Sequence, residues 1–224
     1  MEFNTVQPQL IEEKRLIGTM ITGKPSAYAF AIATLTIIAM VLMTVFYWIA
    51  PVAWADFLPA VNSQVYQHSQ TWRIFTATFI HADLEHLLSN MYMLWIFSYF
   101  VCGYFGFSMF PILSFFLAGL VNAIAVKTYA PDIELLGASG LVYLLGGLWL
   151  TLYFLIQRQY SIMNRLIRVT GIAAVIFIPS TFVPTTSYRT HAIGFAFGIG
   201  MALFYFFKNK NMIRAYEVYK INYV

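Results

Sequence analysis

The chain has 224 residues, 60% of them hydrophobic and 10% charged, with a mean hydropathy of +0.71. Soluble domains carry about 25% charged residues, so this composition excludes an ordinary soluble domain and indicates a membrane protein. The net charge of +4 and isoelectric point near 9.1 are therefore read as topology signals, not as a nucleic-acid footprint, and the single cysteine, Cys102, excludes an internal disulfide.

Residues 1–26 are polar and include Glu12, Glu13, Lys14 and Arg15. They read as a cytoplasmic tail. The apolar run that follows is too long for a signal peptide and has no cleavage site, so it is a first membrane helix. About 20 mainly apolar residues cross a bilayer core. Six runs approach this length: Ala27–Ala50, Leu84–Cys102, Ser108–Val126, Ser139–Ile156, Val169–Phe182 and His191–Phe207. The fifth is short and holds Pro179, which kinks or ends a helix. These runs predict an all-α membrane protein, a six-helix bundle in one domain spanning 27–207, followed by a basic cytoplasmic tail, 208–224. The connection from Pro51 to Asp83 carries Trp54, Phe57, Tyr66, Trp72, Phe75 and Phe79. Such aromatic content predicts a structured element in the outer leaflet.

Basic residues set the orientation. With the N-terminus inside, Lys14, Arg15, Lys24, Arg158, Arg165, Arg168, Lys208, Lys210, Arg214 and Lys220 all fall on the cytoplasmic side. Only Arg73, Lys127 and Arg189 fall outside. This is a positive-inside distribution with both termini cytoplasmic. It brings the starts of helices 2, 4 and 6 to one depth, in the outer half of the membrane. Those starts carry His81, His86 and Asn90, then Ser139, then His191.

A polar group inside a bilayer needs a reason. Serine becomes a nucleophile when a base takes its proton, and histidine suits that task near neutral pH. Ser139 and His191 are therefore a candidate nucleophile and base. Gly194 and Gly198 form G-x-x-x-G on one face of helix 6, and Gly140, Gly146 and Gly147 line helix 4, so the two helices can approach closely. Tyr143 lies one turn beyond Ser139, where its ring can stack on the imidazole. His86 and Asn90 share a helix face and can donate hydrogen bonds to an oxyanion, as can the free backbone N–H groups at Ser139.

Each residue has a plainer reading. Gly137-Ala138-Ser139-Gly140 alone is a helix-packing motif. His191 alone is an interior histidine or part of a proton path, and His86 with Asn90 a polar lock between helices. His81 reads as a solvated or capping residue, His68 as a loop residue, and Trp72-Arg73 as a headgroup anchor. Their combination carries the functional reading. No H-E-x-x-H, zinc-ligand cluster or pair of intramembrane aspartates is present, so no metal or cofactor is expected. No membrane-embedded acid is available for a third triad position, which leaves a Ser–His dyad.

Taken in order, Trp72-Arg73, His81-x4-His86-x3-Asn90-Met91, Gly137-Ala138-Ser139-Gly140, Tyr143 and His191-x2-Gly194-x3-Gly198 resemble the rhomboid family of intramembrane serine proteases. The resemblance covers roughly 27–207. It implies Ser139 as nucleophile, His191 as base, and an oxyanion hole of His86, Asn90 and the Ser139 N–H. Tyr143 would pack on His191, Trp72-Arg73 would stabilise the first long loop, and His81 would support it from beneath. The implied substrate is a membrane protein cut within or beside a transmembrane helix. Six helices resemble the basic, mainly bacterial form, which implies the bacterial inner membrane with the site toward the outer side. Two positions depart from the pattern. Cys102 stands four residues before Gly106 where glutamate is common, and Thr190 precedes His191 where alanine is common. The alternatives are a catalytically silent relative that binds transmembrane helices, and a small transporter whose path these polar residues line. The natural substrate and oligomeric state are not readable from the sequence.

Overall fold

A computed structural model describes residues 12–177 and 187–223. The elements run β1 (Glu12–Gly18), α1 (Tyr28–Ile49), α2 (Val52–Ala55), β2 (Ala60–Val61), α3 (Asn62–Tyr66), α4 (Arg73–Thr76), α5 (Leu84–Phe105), α6 (Ser114–Lys127), β3 (Glu134–Leu135), α7 (Ser139–Ile156), α8 (Ile162–Phe177), α9 (Tyr188–Lys208), α10 (Lys210–Ala215) and β4 (Val218–Tyr223). The chain is a helical membrane bundle, as expected.

Five helical segments among the described residues are long and apolar enough to span a bilayer: α1, α5, Ser108–Lys127, α7 and α9. The third enters through a π-type turn, Ser108–Leu113, where Pro111 follows the extended residue Phe110, and continues as α6. The fifth expected run is α8, which starts seven residues earlier than Val169. Its apolar Ile162, Met163, Leu166 and Ile167 face outward. Its two arginines fold back instead. Arg165 donates to Phe154 O at 2.6 Å, and Arg168 lies 4.0 Å over the Tyr160 ring. Arg165 and Arg168 thus hid the first two turns of the helix, which a plain apolar window skips. Pro179 lies outside the described residues.

α7 is the axis of the bundle. Two thirds of its span, 67%, is buried, against 28% for α1. α1 turns Ala29, Ala33, Met40 and Thr44 inward and exposes Leu35, Leu42 and Ile49, the lipid-facing pattern of an outer helix. Small residues let α9 lie against α7. A Cβ on Gly194 meets Gly140 O at 2.5 Å, and one on Gly198 meets Leu144 O at 2.0 Å. The contacts advance in step along both chains, so the helices are parallel. α5 is parallel to them too, with His86 beside Gly137 and Phe97 beside Gly146. The starts of α5, α7 and α9 consequently share one end of the bundle.

The aromatic connection after α1 is ordered, built of α2, β2, α3 and α4, with β2 paired to β3. At the opposite end of the bundle, the two tails meet: β1 pairs antiparallel with β4.

Candidate active site

Gly137 and Ala138 lead into α7. Gly137 has φ +110°, a left-handed conformation that favours glycine, and a Cβ there would meet the His86 ring at 2.6–2.7 Å. Two hydrogen bonds pin this loop. Gly137 N–H donates to Ala77 O at 2.9 Å, and Ala138 N–H donates to His81 Nε2 at 3.2 Å. Ser139 follows as the first residue of α7 and is half-buried.

His81 is wholly buried. Because Nε2 accepts from Ala138, Nδ1 carries the proton and donates to Thr44 Oγ1 at 3.1 Å. Thr44 Oγ1 in turn donates to Phe79 O at 3.2 Å, and Trp48 Nε1 donates to His81 O at 2.9 Å. The solvated or capping reading of His81 is therefore replaced. Burial, reinforced by the neighbouring His86 and only partly opposed by Asp83, pushes its pKa down to about 3, and the ring is a neutral post between α1 and the serine loop. Capping of α5 falls to Asp83, whose Oδ1 accepts from His86 N at 2.7 Å.

His191, the fourth residue of α9, is buried. The Tyr143 ring stacks on it with centroids 3.9 Å apart and planes at 12°. Phe177 of α8 stacks on the other side of Tyr143 at 4.4 Å. Gly140 meets the Thr190 methyl group, a Cβ there lying 2.9 Å away, so Ser139 and His191 flank a direct helix–helix contact. His86 is half-buried, its ring 5.1 Å from that of His81 and within electrostatic reach of His191. Asn90 is buried and its amide nitrogen donates to His86 O at 2.9 Å. The structure thus gathers His81, His86, Gly137, Ser139, Gly140, Tyr143, His191 and Gly194 at one end of α5, α7 and α9, with Gly198 one turn deeper.

Trp72 and Arg73 stand apart from this group. Trp72 is exposed and donates from Nε1 to Phe57 O at 3.3 Å. Arg73 is buried; it donates to Asp56 O, to Pro59 O at 3.0 Å and to Gln70 Oε1 at 2.6 Å. A headgroup anchor does not describe Arg73, which holds the aromatic connection together from inside. His68 is exposed in a turn.

Several residues have no forecast in the sequence. Thr44 and Asn122 are buried polar residues within apolar spans, which was the available signal. Asn122 Nδ2 donates to Ile74 O at 2.8 Å and Thr78 Oγ1 at 3.0 Å, tying α6 to α4. Tyr129 OH pairs with Ser187 Oγ, which pairs with Thr190 Oγ1, and Arg189 lies over the Tyr129 ring. This cluster fastens the start of α9. Thr190, where the sequence departs from its resemblance, is thereby buried and partnered. Among the described residues no group of three His, Cys, Asp or Glu side chains is placed to hold a metal ion.

No curated protein matches the chain. Residues 68–208, well over half of it, match the family model of the rhomboid domain, and that stretch contains every candidate site residue named above. The chain belongs to the rhomboid family, helical membrane proteins that in general are intramembrane serine proteases.

Proposed function

We propose that this protein is an intramembrane serine endopeptidase that hydrolyses peptide bonds within or beside transmembrane helices of membrane-protein substrates. The observation that carries the reading is the stack of Tyr143 on His191 at 3.9 Å, made by two parallel helices in glycine-mediated contact. It fixes the plane of an imidazole one residue past the Gly140–Thr190 contact, at the start of the helix that Ser139 opens against, a task that a packing motif alone does not need.

In this reading His191 accepts the Ser139 Oγ proton as Oγ attacks the scissile carbonyl. The oxyanion is met by donors from His86, Asn90 and the Ser139 N–H, aided by the positive end of α7. For the side chains this requires Asn90 to turn its amide from its own helix. The protonated His191 then gives its proton to the leaving amine. Water, deprotonated by the same imidazole, releases the acyl group and restores Ser139. Trp72, Arg73, His81, Gly137, Gly140, Gly194 and Gly198 act as supports. No cofactor takes part, and the partners are the substrate helix and membrane lipid, not nucleic acid.

We also propose that residues 27–207 form the protease domain between two cytoplasmic tails, with the site toward the outer face of a bacterial inner membrane. The positive-inside distribution supports this orientation. Purified protein in liposomes, given a model transmembrane substrate and an activated fluorophosphonate, is the test. Cleavage and labelling are expected for the native chain and lost in Ser139→Ala. Activity that survives that substitution overturns the dyad. No activity in either protein, with the substrate still bound, assigns the chain to the silent, helix-binding relatives.

A further inference from the structure

The paired tails form an amphipathic sheet. In an antiparallel pair, directly opposed residues share a face and neighbours along a strand alternate. The register Glu12↔Tyr223, Lys14↔Ile221 and Leu16↔Tyr219 therefore puts Leu16, Tyr219 and Ile221 on one face, with Lys14 and Glu12 at its outer end. Glu13↔Asn222 and Arg15↔Lys220 fall on the other. The second face is mostly polar, with the exposed Val218 beside Gly18 at its end. On the first, Tyr219 and Ile221 remain 50% and 45% exposed.

The sheet is held at the level where the spans end. Thr19, directly after β1, donates from Oγ1 to Gln157 Oε1 at 3.0 Å, and Gln157 is the first residue beyond α7. Arg158 bonds Glu217 at 3.0 Å, one residue before β4. Ile21 and Ile213 are buried in the main core cluster, and Tyr104 OH donates to Gly23 O at 2.8 Å. These ties leave the strands little room to swing away from the bundle. In these segments the six cations Lys14, Arg15, Lys208, Lys210, Arg214 and Lys220 outnumber the three acids Glu12, Glu13 and Glu217.

We infer that the β1–β4 sheet docks its Leu16–Tyr219–Ile221 face into the headgroup layer of an anionic membrane leaflet at the end of the bundle opposite Ser139. Tyrosine with its ring in the acyl boundary and hydroxyl in water suits that layer. Lys14, on the same face, and the surrounding cations meet the lipid phosphates within a Debye length. The more polar face looks to water. The inference is independent of the proteolytic reading, since it concerns the other end of the molecule.

The test is a nitroxide scan of the full chain. Tyr219→Cys, Lys220→Cys and Ile221→Cys are each spin-labelled, with native Cys102 shielded by burial. The labelled proteins are placed in vesicles of phosphatidylglycerol and phosphatidylethanolamine, and separately in phosphatidylcholine. In the anionic vesicles, labels at 219 and 221 are expected to collide with oxygen and be protected from a water-soluble nickel complex. The label at 220 shows the reverse. The contrast shrinks several-fold in phosphatidylcholine, at high salt, or when Lys14→Gln and Arg214→Gln are introduced together. Equal nickel access at all three positions in anionic vesicles overturns the inference. So does spin–spin broadening between labels at 219, which gives the face to a second copy of the chain. A contrast unchanged by lipid charge overturns the anionic part.

Discussion

The N–H of Ala138 points at Nε2 of His81, 3.2 Å away, so a residue of the first long connection holds the backbone immediately before Ser139. The same imidazole grips α1 through Thr44. The serine loop is in this way referenced to α1 through one side chain. The bond exists only while Nε2 is unprotonated.

Acid should loosen this post. Folded His81 titrates at about 3 and an unfolded histidine near 6.5. Between those values the unfolded chain binds the extra proton, so stability falls as pH falls through that window and levels off below it. The slope from this one group is at most about 1.4 kcal/mol per pH unit. Melting temperatures in detergent, measured from pH 7 to pH 4, should drop more steeply for the native chain than for His81→Gln. Parallel curves would remove His81 as the source.

His81→Ala should be costly at neutral pH as well. It leaves the Ala138 N–H without its buried acceptor, loses the Thr44 bond and opens a cavity, for a loss of about 2–4 kcal/mol. The check is a denaturation midpoint in micelles, read beside Thr44→Val, which removes only one of the bonds.

Replacing the Tyr143 ring should act on rate more than on folding. Tyr143→Phe keeps the stack on His191 and most activity. Tyr143→Ala loses about 1 kcal/mol of aromatic interaction, which corresponds to roughly a fivefold fall in kcat/KM. Proteoliposome cleavage assays would show whether the two variants separate.

Gly198→Ala should lower stability by about 1–3 kcal/mol, because its new methyl group would overlap the Leu144 carbonyl oxygen. Gly200→Ala, two residues on, meets nothing within 4 Å and should be neutral or slightly stabilising. Thermal unfolding of the pair distinguishes close helix approach from a general effect of glycine.

Arg73→Lys should disturb the aromatic connection more than Trp72→Phe does. An ammonium group does not reproduce the fork that reaches Asp56 O, Pro59 O and Gln70 Oε1. Limited proteolysis between 51 and 83 is the readout, with faster nicking expected in Arg73→Lys.

Ser139, His191, Tyr143 and the glycines were legible because a helix has a fixed period, and a charge count brings its ends to one depth. The stack of Tyr143 on His191 follows from that period once α7 and α9 touch. His81 was legible as a support through the resemblance alone. Its partners come from α1 and from the start of α7, distant in sequence, and nothing local marks it as buried. Arg73 as a support of the first long loop came from the resemblance; read alone it passed for a headgroup anchor, because two of its three acceptors are backbone carbonyls, which carry no sequence signature. The start of α8 was missed where Arg165 and Arg168 break the apolar run. The β1–β4 pairing joins segments from opposite ends of the chain, and neither segment alternates strongly enough to announce a strand.

α7 is walled in by its neighbours while α1 and α8 show broad flanks to lipid. The serine therefore rides on the axle of the molecule, not on its rim. On the proposed reading, a substrate helix cannot make room for itself by tilting α7, whose displacement would drag α5 and α9 with it. Whatever yields must be peripheral, and the rim softens first as temperature rises. On the proteolytic reading proposed above, heating should accordingly blur which helices are admitted before it abolishes cleavage.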